Sequence, residues 1–190
     1  FDDSSYTTTS AYRKIYQLAR EGLGPDAYLH ERILGGAVHE LVPRTDATVG
    51  IVDLQRVWGD ASHFEPEMAS RIGLRWYKSG TAMRYYPDCK SFFVPRKGKD
   101  DPRVPLSRKD RRTFLTLVGL LSGRIELATS FGSMTDEMLH DLTRLYPVLP
   151  NGMAFRPVDM FLGNAHPEVY VCHVQPGWVQ AILVNNNVDV

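Results

Sequence analysis

Apolar residues recur along this chain in two rhythms, and the change from one to the other sets out its architecture. Tyr12, Ile15, Tyr16 and Ala19 are spaced three and four apart, which predicts an amphipathic helix over 10–21. Gly22 and Gly24, then Pro25-Asp26, end it. Residues 27–30 predict a short strand, followed by a glycine-rich loop at Leu34-Gly35-Gly36. Val49, Ile51, Val52 and Leu54 predict a second strand within 48–57. Pro66 suits the first turn of a helix over 66–79, with Met68, Ala69, Ile72 and Trp76 as its buried stripe. Residues 82–94 read as strand interrupted by a Pro87-Asp88 turn. Ser107 and Asp110 are spaced like a capping box, and the helix behind them carries Phe114, Leu117, Val118 and Leu121 on one face until Gly123. A brief strand at 125–129 precedes a last helix, opened by Ser133 and Asp136 and striped by Met138, Leu139, Leu142 and Leu145.

This alternation of helix and strand implies a parallel sheet with covering helices, an α/β fold. After Pro147 and Pro150 the rhythm shortens. Runs at 158–162, 169–174 and 179–184 predict an antiparallel meander or sandwich, with Trp178 in its core, and place a boundary near Pro150. The piece from 150 to 190 is too short for an independent sandwich, so it is expected to be incomplete or completed elsewhere.

Charge narrows the function classes. Twenty-two basic and 22 acidic residues balance to a net charge of zero, and the densest basic stretch, 96–112, is broken by Asp100, Asp101 and Asp110. A nucleic-acid binder that works through a general positive field is therefore not expected. No apolar run reaches membrane-spanning length. There is no signal peptide and no initiator Met, so the chain is expected to start inside a longer protein, which leaves its compartment open. Cys89 and Cys172 stand alone, and His39, His63, His140, His166 and His173 show no metal-ligand spacing, so neither a metal nor another cofactor is expected. Gly22-Leu23-Gly24 follows a helix rather than a strand, the wrong context for a phosphate loop.

Several consecutive segments resemble the clan of retaining α-galactosidases, glycoside hydrolase family 36 more than family 27. They are Ala11-Tyr12-Arg13-Lys14 with Gly24-Pro25-Asp26-Ala27-Tyr28-Leu29, then Val52-Asp53-Leu54-Gln55-Arg56-Val57-Trp58-Gly59-Asp60, then Tyr86-Pro87-Asp88-Cys89, and last Ala154-Phe155-Arg156-Pro157-Val158-Asp159-Met160-Phe161. The resemblance implies the C-terminal half of a (β/α)8 TIM barrel over 1–149, followed over 150–190 by the start of an antiparallel β-sandwich domain. The missing N-terminal half of the barrel would supply strands one to four. The chain departs from the family at Val57-Trp58-Gly59, where Ile-Gly-Pro is usual, and at His30-Glu31-Arg32, where a Cys-Gly turn is common. These departures leave the sugar open.

The resemblance also implies a chemistry. Retaining hydrolysis uses two carboxyl groups about 5–5.5 Å apart, one as nucleophile and one as acid/base. Asp60, four residues after Arg56, matches the acid/base position. The nucleophile belongs to a Lys-x-Asp strand end that falls at Asp2 or before Phe1. Arg56, Trp58, His30, Glu31 and Asp88 are the candidate substrate ligands, His30 and Glu31 as neighbours at one strand end. Each has a plainer reading: a loop pair for His30 and Glu31, a turn-forming role for Asp88, packing for Trp58. The implied activity is that of an exo-acting retaining hydrolase of α-linked galactose-type sugars, with a carbohydrate substrate and no cofactor. A non-catalytic carbohydrate-binding homologue and a hydrolase for another α-linked sugar are its alternatives, and a homo-oligomer is left open.

Overall fold

The structure, a computed structural model, describes residues 3–32, 47–58, 66–89, 91–93, 104–122, 124–146, 150, 152–164 and 166–186. In chain order these form α1 (Thr8–Leu23), β1 (His30–Glu31), β2 (Leu54–Arg56), α2 (Pro66–Gly73), β3 (Arg84–Tyr86), α3 (Arg108–Ser122), a 3-10 turn (Phe131–Ser133), α4 (Asp136–Thr143), β4 (Arg156–Pro157), β5 (Val169–Gln175) and β6 (Trp178–Leu183).

Strands β1, β2 and β3 lie side by side in chain order and all run parallel. Glu31 pairs with Gln55 and Gln55 with Tyr85, so these three share one face; His30, Leu54 and Arg84 share the other, joined one step further along by Arg56 and Tyr86. The helices cover the Glu31 face. Tyr85 packs there with Ala69 and Ile72 of α2 and Leu117 and Leu121 of α3. Tyr12 of α1 donates its hydroxyl hydrogen bond to Glu31.

Helix α1 starts at a reciprocal cap, in which Thr7 Oγ1 accepts from Ser10 N at 3.1 Å and Ser10 Oγ accepts from Thr7 N at 2.8 Å. Near its other end Arg20 gathers the approaches to two strands. Its guanidinium donates to Ile51 O at 2.7 Å, to Asp53 Oδ2 at 2.8 Å and to the carbonyl of Ala27. Asp53 Oδ2 also accepts from Leu29 N at 2.8 Å. Helices α3 and α4 are joined by charge: Asp141, buried, accepts from Arg111 and Arg112 at 2.9 Å each.

Strands β4, β5 and β6 form an antiparallel sheet in chain order. The core does not stop where the sheet type changes. Tyr170, Cys172, Ile182 and Val184 pack into the same cluster as Ile72, Tyr85 and Leu117. The expected strand over 158–162 is instead a turn after β4, because Asp159 accepts from the backbone of Glu168 and Val169 and ties the segment back on itself. Trp178 is half exposed rather than core, since it flanks the β5–β6 turn, paired with Gln175. The described residues thus form a mixed α/β arrangement of two small sheets, with no closed barrel among them.

Candidate ligand-binding site

In a parallel sheet the groups beyond the C-terminal strand ends are gathered onto one rim, where ligands of such sheets commonly bind. Here that rim holds His30 from β1, Arg56 from β2, and Tyr86 and Asp88 from β3 and just after it. Glu126 joins them from the extended stretch that follows α3. Arg56 Nη2 lies 3.1 Å from Asp88 Oδ2, and its Nε donates to Trp58 O at 2.7 Å. His30 Nδ1 lies 3.7 Å from Glu126 Oε1, and the His30 ring meets Tyr86 edge-on with centroids 4.7 Å apart. Arg124 Nε donates to Glu126 Oε1 at 2.8 Å.

Burial pulls the His30 imidazole below its ordinary value; Glu126 opposes this, and Arg124, Arg32 and Arg56 add to it. Burial also pushes the Tyr86 phenol up, helped by the carboxylates of Glu126 and Asp88. Near neutral pH the rim therefore offers an uncharged imidazole and a protonated phenol beside carboxylates anchored by guanidinium groups. Such a set places fixed hydrogen-bond donors and acceptors side by side.

The structure separates the sequence candidates. His30, Arg56 and Asp88 come together. Glu31 does not share their face, because neighbours in a strand point to opposite sides. It is fully buried between the sheet and α1, where it accepts from Tyr12 and Thr48 hydroxyls and from Gln55 Nε2 at 2.9 Å. That corrects the expectation of a His30–Glu31 ligand pair. Trp58 is also withdrawn from the rim. Its indole is buried against Met68, Phe92 and Phe114, and the Arg71 guanidinium lies 4.8 Å over its ring. Asp88 Oδ1 accepts from Cys89 N at 2.7 Å within its Pro-Asp turn, while Oδ2 faces Arg56. Asp60 and Asp2 lie outside the described residues.

Tyr86, Arg124 and Glu126 were not anticipated. For Glu126 a signal existed: it stands between Ile125 and Leu127, both packed against the helical core, so period-two alternation turns it the other way. A cavity of about 200 Å³ lies at the opposite end of the sheet, lined by Tyr28, Asp53, Thr81 and Arg84 among others. Its charged groups serve the scaffold: Asp53 is bound to Arg20 and Leu29, and Arg84 donates to the carbonyls of Pro150 and Met153. Among the described residues no trio of His, Cys, Asp or Glu is placed to hold a metal ion, and no helix is long and apolar enough to cross a membrane. No protein-family model, curated protein or solved structure matches this chain.

Proposed function

We propose that this chain is the C-terminal half of a (β/α)8 barrel glycoside hydrolase, with the beginning of a β-sandwich domain behind it. In this reading it is a retaining, exo-acting enzyme for α-linked galactose-type sugars. The observation that supports it is the polar rim at the C-terminal ends of three parallel strands laid side by side in chain order. Arg56 ends the middle strand, and Asp60 follows it by four residues, as in the α-galactosidase segment that this stretch resembles. Asp60 would donate a proton to the leaving oxygen and later take one from water. The nucleophile would be Asp2 or a carboxylate N-terminal to Phe1. Arg56, His30 and Asp88 would fix the sugar, with no cofactor.

The test compares two α-galactosides that differ in leaving group, assayed with the full-length protein. Asp60→Asn should lower turnover of an alkyl galactoside by about 10²–10⁴-fold. Turnover of an activated aryl galactoside, which departs without a proton, should fall much less. Equal losses on both would remove Asp60 from the acid role. Galactose binding with no turnover of either substrate would select the non-catalytic homologue.

A further inference from the structure

The two edges of the antiparallel sheet are built differently. On one side stands β4, two residues long, with the exposed Arg156 followed by Pro157. A short strand with a charge and a missing N–H offers little for another strand to pair with. On the other side stands β6, six residues long, and among the described residues no strand pairs with its outer side. From Trp178 to Val184 the chain carries no charge, no glycine and no proline. The devices that ordinarily blunt an edge are missing from it.

The ladder fixes what this edge presents. Val184 N donates to Glu168 O at 2.8 Å, and hydrogen-bonded pairs alternate along an antiparallel ladder, so Ile182 and Gln180 also turn their main chains toward β5. The N–H and C=O groups of Val179, Ala181 and Leu183 therefore turn outward. The side chains of these same residues lie on the face of the sheet away from the core. Val179 is 51% and Leu183 78% exposed, with Ala181 exposed between them. Val171 and Val169 stand opposite Ala181 and Leu183, and continue the apolar face inward. An uncharged, apolar edge with outward main-chain donors and acceptors in alternation matches an extended strand of the same character.

We propose that this chain forms a twofold dimer in which β6 pairs antiparallel with β6 of a second copy. Only the outward-turned residues can pair, so the axis passes beside Ala181, and Val179 of each copy stands opposite Leu183 of the other. Because the strand is uncharged, this symmetry sets no like charges against each other. The result is a continuous six-stranded sheet, and the protected β4 edges close the assembly at two copies. Two paired strands of about 20 Å bury less than the about 1,200–2,000 Å² of a tight complex, so the dimer forms at micromolar concentrations or above. The pairing uses the edge of the second sheet and is independent of the chemistry at the rim of the first.

The experiment is sedimentation equilibrium of the full chain over roughly 1 µM to 1 mM, with backbone amide exchange read residue by residue by mass spectrometry. The wild type should pass from monomer to dimer. The amides of Val179, Ala181 and Leu183 should gain protection with concentration, while those of Gln180 and Ile182, already bonded within the sheet, change little. Val179→Lys combined with Leu183→Lys sets like charges opposite each other on both sides of the axis and should raise the dissociation constant about tenfold or more. Val179→Lys combined with Leu183→Glu sets opposite charges there and should stay within a few-fold of wild type. Circular dichroism and the urea midpoint check that both variants fold. A monomer at every concentration overturns the proposal, whether its three outward amides exchange freely or are protected by another strand of the same chain. A dimer that survives both lysines, or that the two combinations weaken alike, has its interface elsewhere and overturns it as well.

Discussion

Replacing Gly73 by alanine sets two opposite effects against each other. Gly73 is the last residue of α2, and glycine-to-alanine inside a helix stabilises by up to about 1 kcal/mol. A Cβ built at Gly73, however, falls 2.3 Å from Cε1 of Tyr170 and 3.2 Å from its Cδ1 and Cζ. Carbon atoms in good contact sit about 3.5–4.0 Å apart, so the closest approach is more than about 1 Å too short. The ring has nowhere to go: Tyr170 is fully buried, its backbone is paired with Ile182, and its side chain packs among Ile72, Tyr85 and Phe155. Overpacking of this kind costs about 1–3 kcal/mol. A 2.3 Å approach belongs at the upper end of that range, so subtracting the helix gain leaves a net destabilisation of about 2 kcal/mol. Urea denaturation followed by circular dichroism should show a lower midpoint with an unchanged slope. In a Tyr170→Leu background the same change should cost nothing further, because the obstructing ring is gone. A Gly73→Ala protein as stable as wild type, or a penalty that persists without the ring, would refute the reasoning.

Glu31→Gln leaves a single oxygen for three donors, and although the Tyr12 or Thr48 hydroxyl can turn to accept from the new N–H₂, the Gln55 amide cannot, so it should destabilise by about 1–3 kcal/mol in the same denaturation assay; Tyr12→Phe, which removes one donor, should cost about 1 kcal/mol. A neutral Glu31→Gln would show that the buried cluster adds nothing to stability. Gly80 has φ +78° and a Cβ there would meet Arg84 Cζ and Gly152 N at 3.1 Å, so Gly80→Ala should cost roughly 1–3 kcal/mol, read as a drop in thermal midpoint. Hydrogen bonds from Arg112, and then Arg111, hold the Asp141 carboxyl down at about 2, against about 3.9 for a free aspartate. Its stabilising contribution is therefore present above about pH 4 and lost as pH falls through about 2. Arg112 is 41% exposed, and solvent screening limits that contribution to about 1 kcal/mol. The stability gap between wild type and Asp141→Asn should narrow by that amount from about pH 6 to pH 2, and a constant gap would exclude the pairing as its source.

The helices were the most legible part of the fold, because an apolar stripe at a spacing of three and four survives in the sequence. Their ends were read where the cap was local. Ser107 Oγ does bond to Asp110, donating to its carboxylate at 2.7 Å and accepting from its backbone N–H at 3.1 Å. Helix α4, by contrast, begins at Thr135, whose hydroxyl accepts from Met138 N, and not at Ser133, which belongs to the preceding 3-10 turn. Strand lengths were harder to read: among the described residues 48–57 contracts to Leu54–Arg56, 82–94 to Arg84–Tyr86, and 158–162 forms a turn. A buried apolar run tells where a strand is central but not where its neighbour stops pairing. At the rim, His30, Arg56 and Asp88 were visible as polar residues at strand ends. Glu31, although next to His30 in sequence, faces the helices, because neighbours in a strand point to opposite sides. Tyr86 and Glu126 were missed because their shared partner, His30, is close only after the sheet has formed.

The contacts of Arg20 carry a consequence for how the parallel sheet finds its alignment. The β1–β2 ladder has just two residue pairs, His30 with Leu54 and Glu31 with Gln55, too few to reject a slide of one position on their own. Such a slide would send the Glu31 carboxylate out to the rim and swing His30 in beneath the helices. It would also pull Ile51 and Asp53 away from the guanidinium that grips them together with Ala27. A side chain on a helix therefore acts as the gauge against which two strands are set, and the alignment of β1 with β2 depends on α1 being in place.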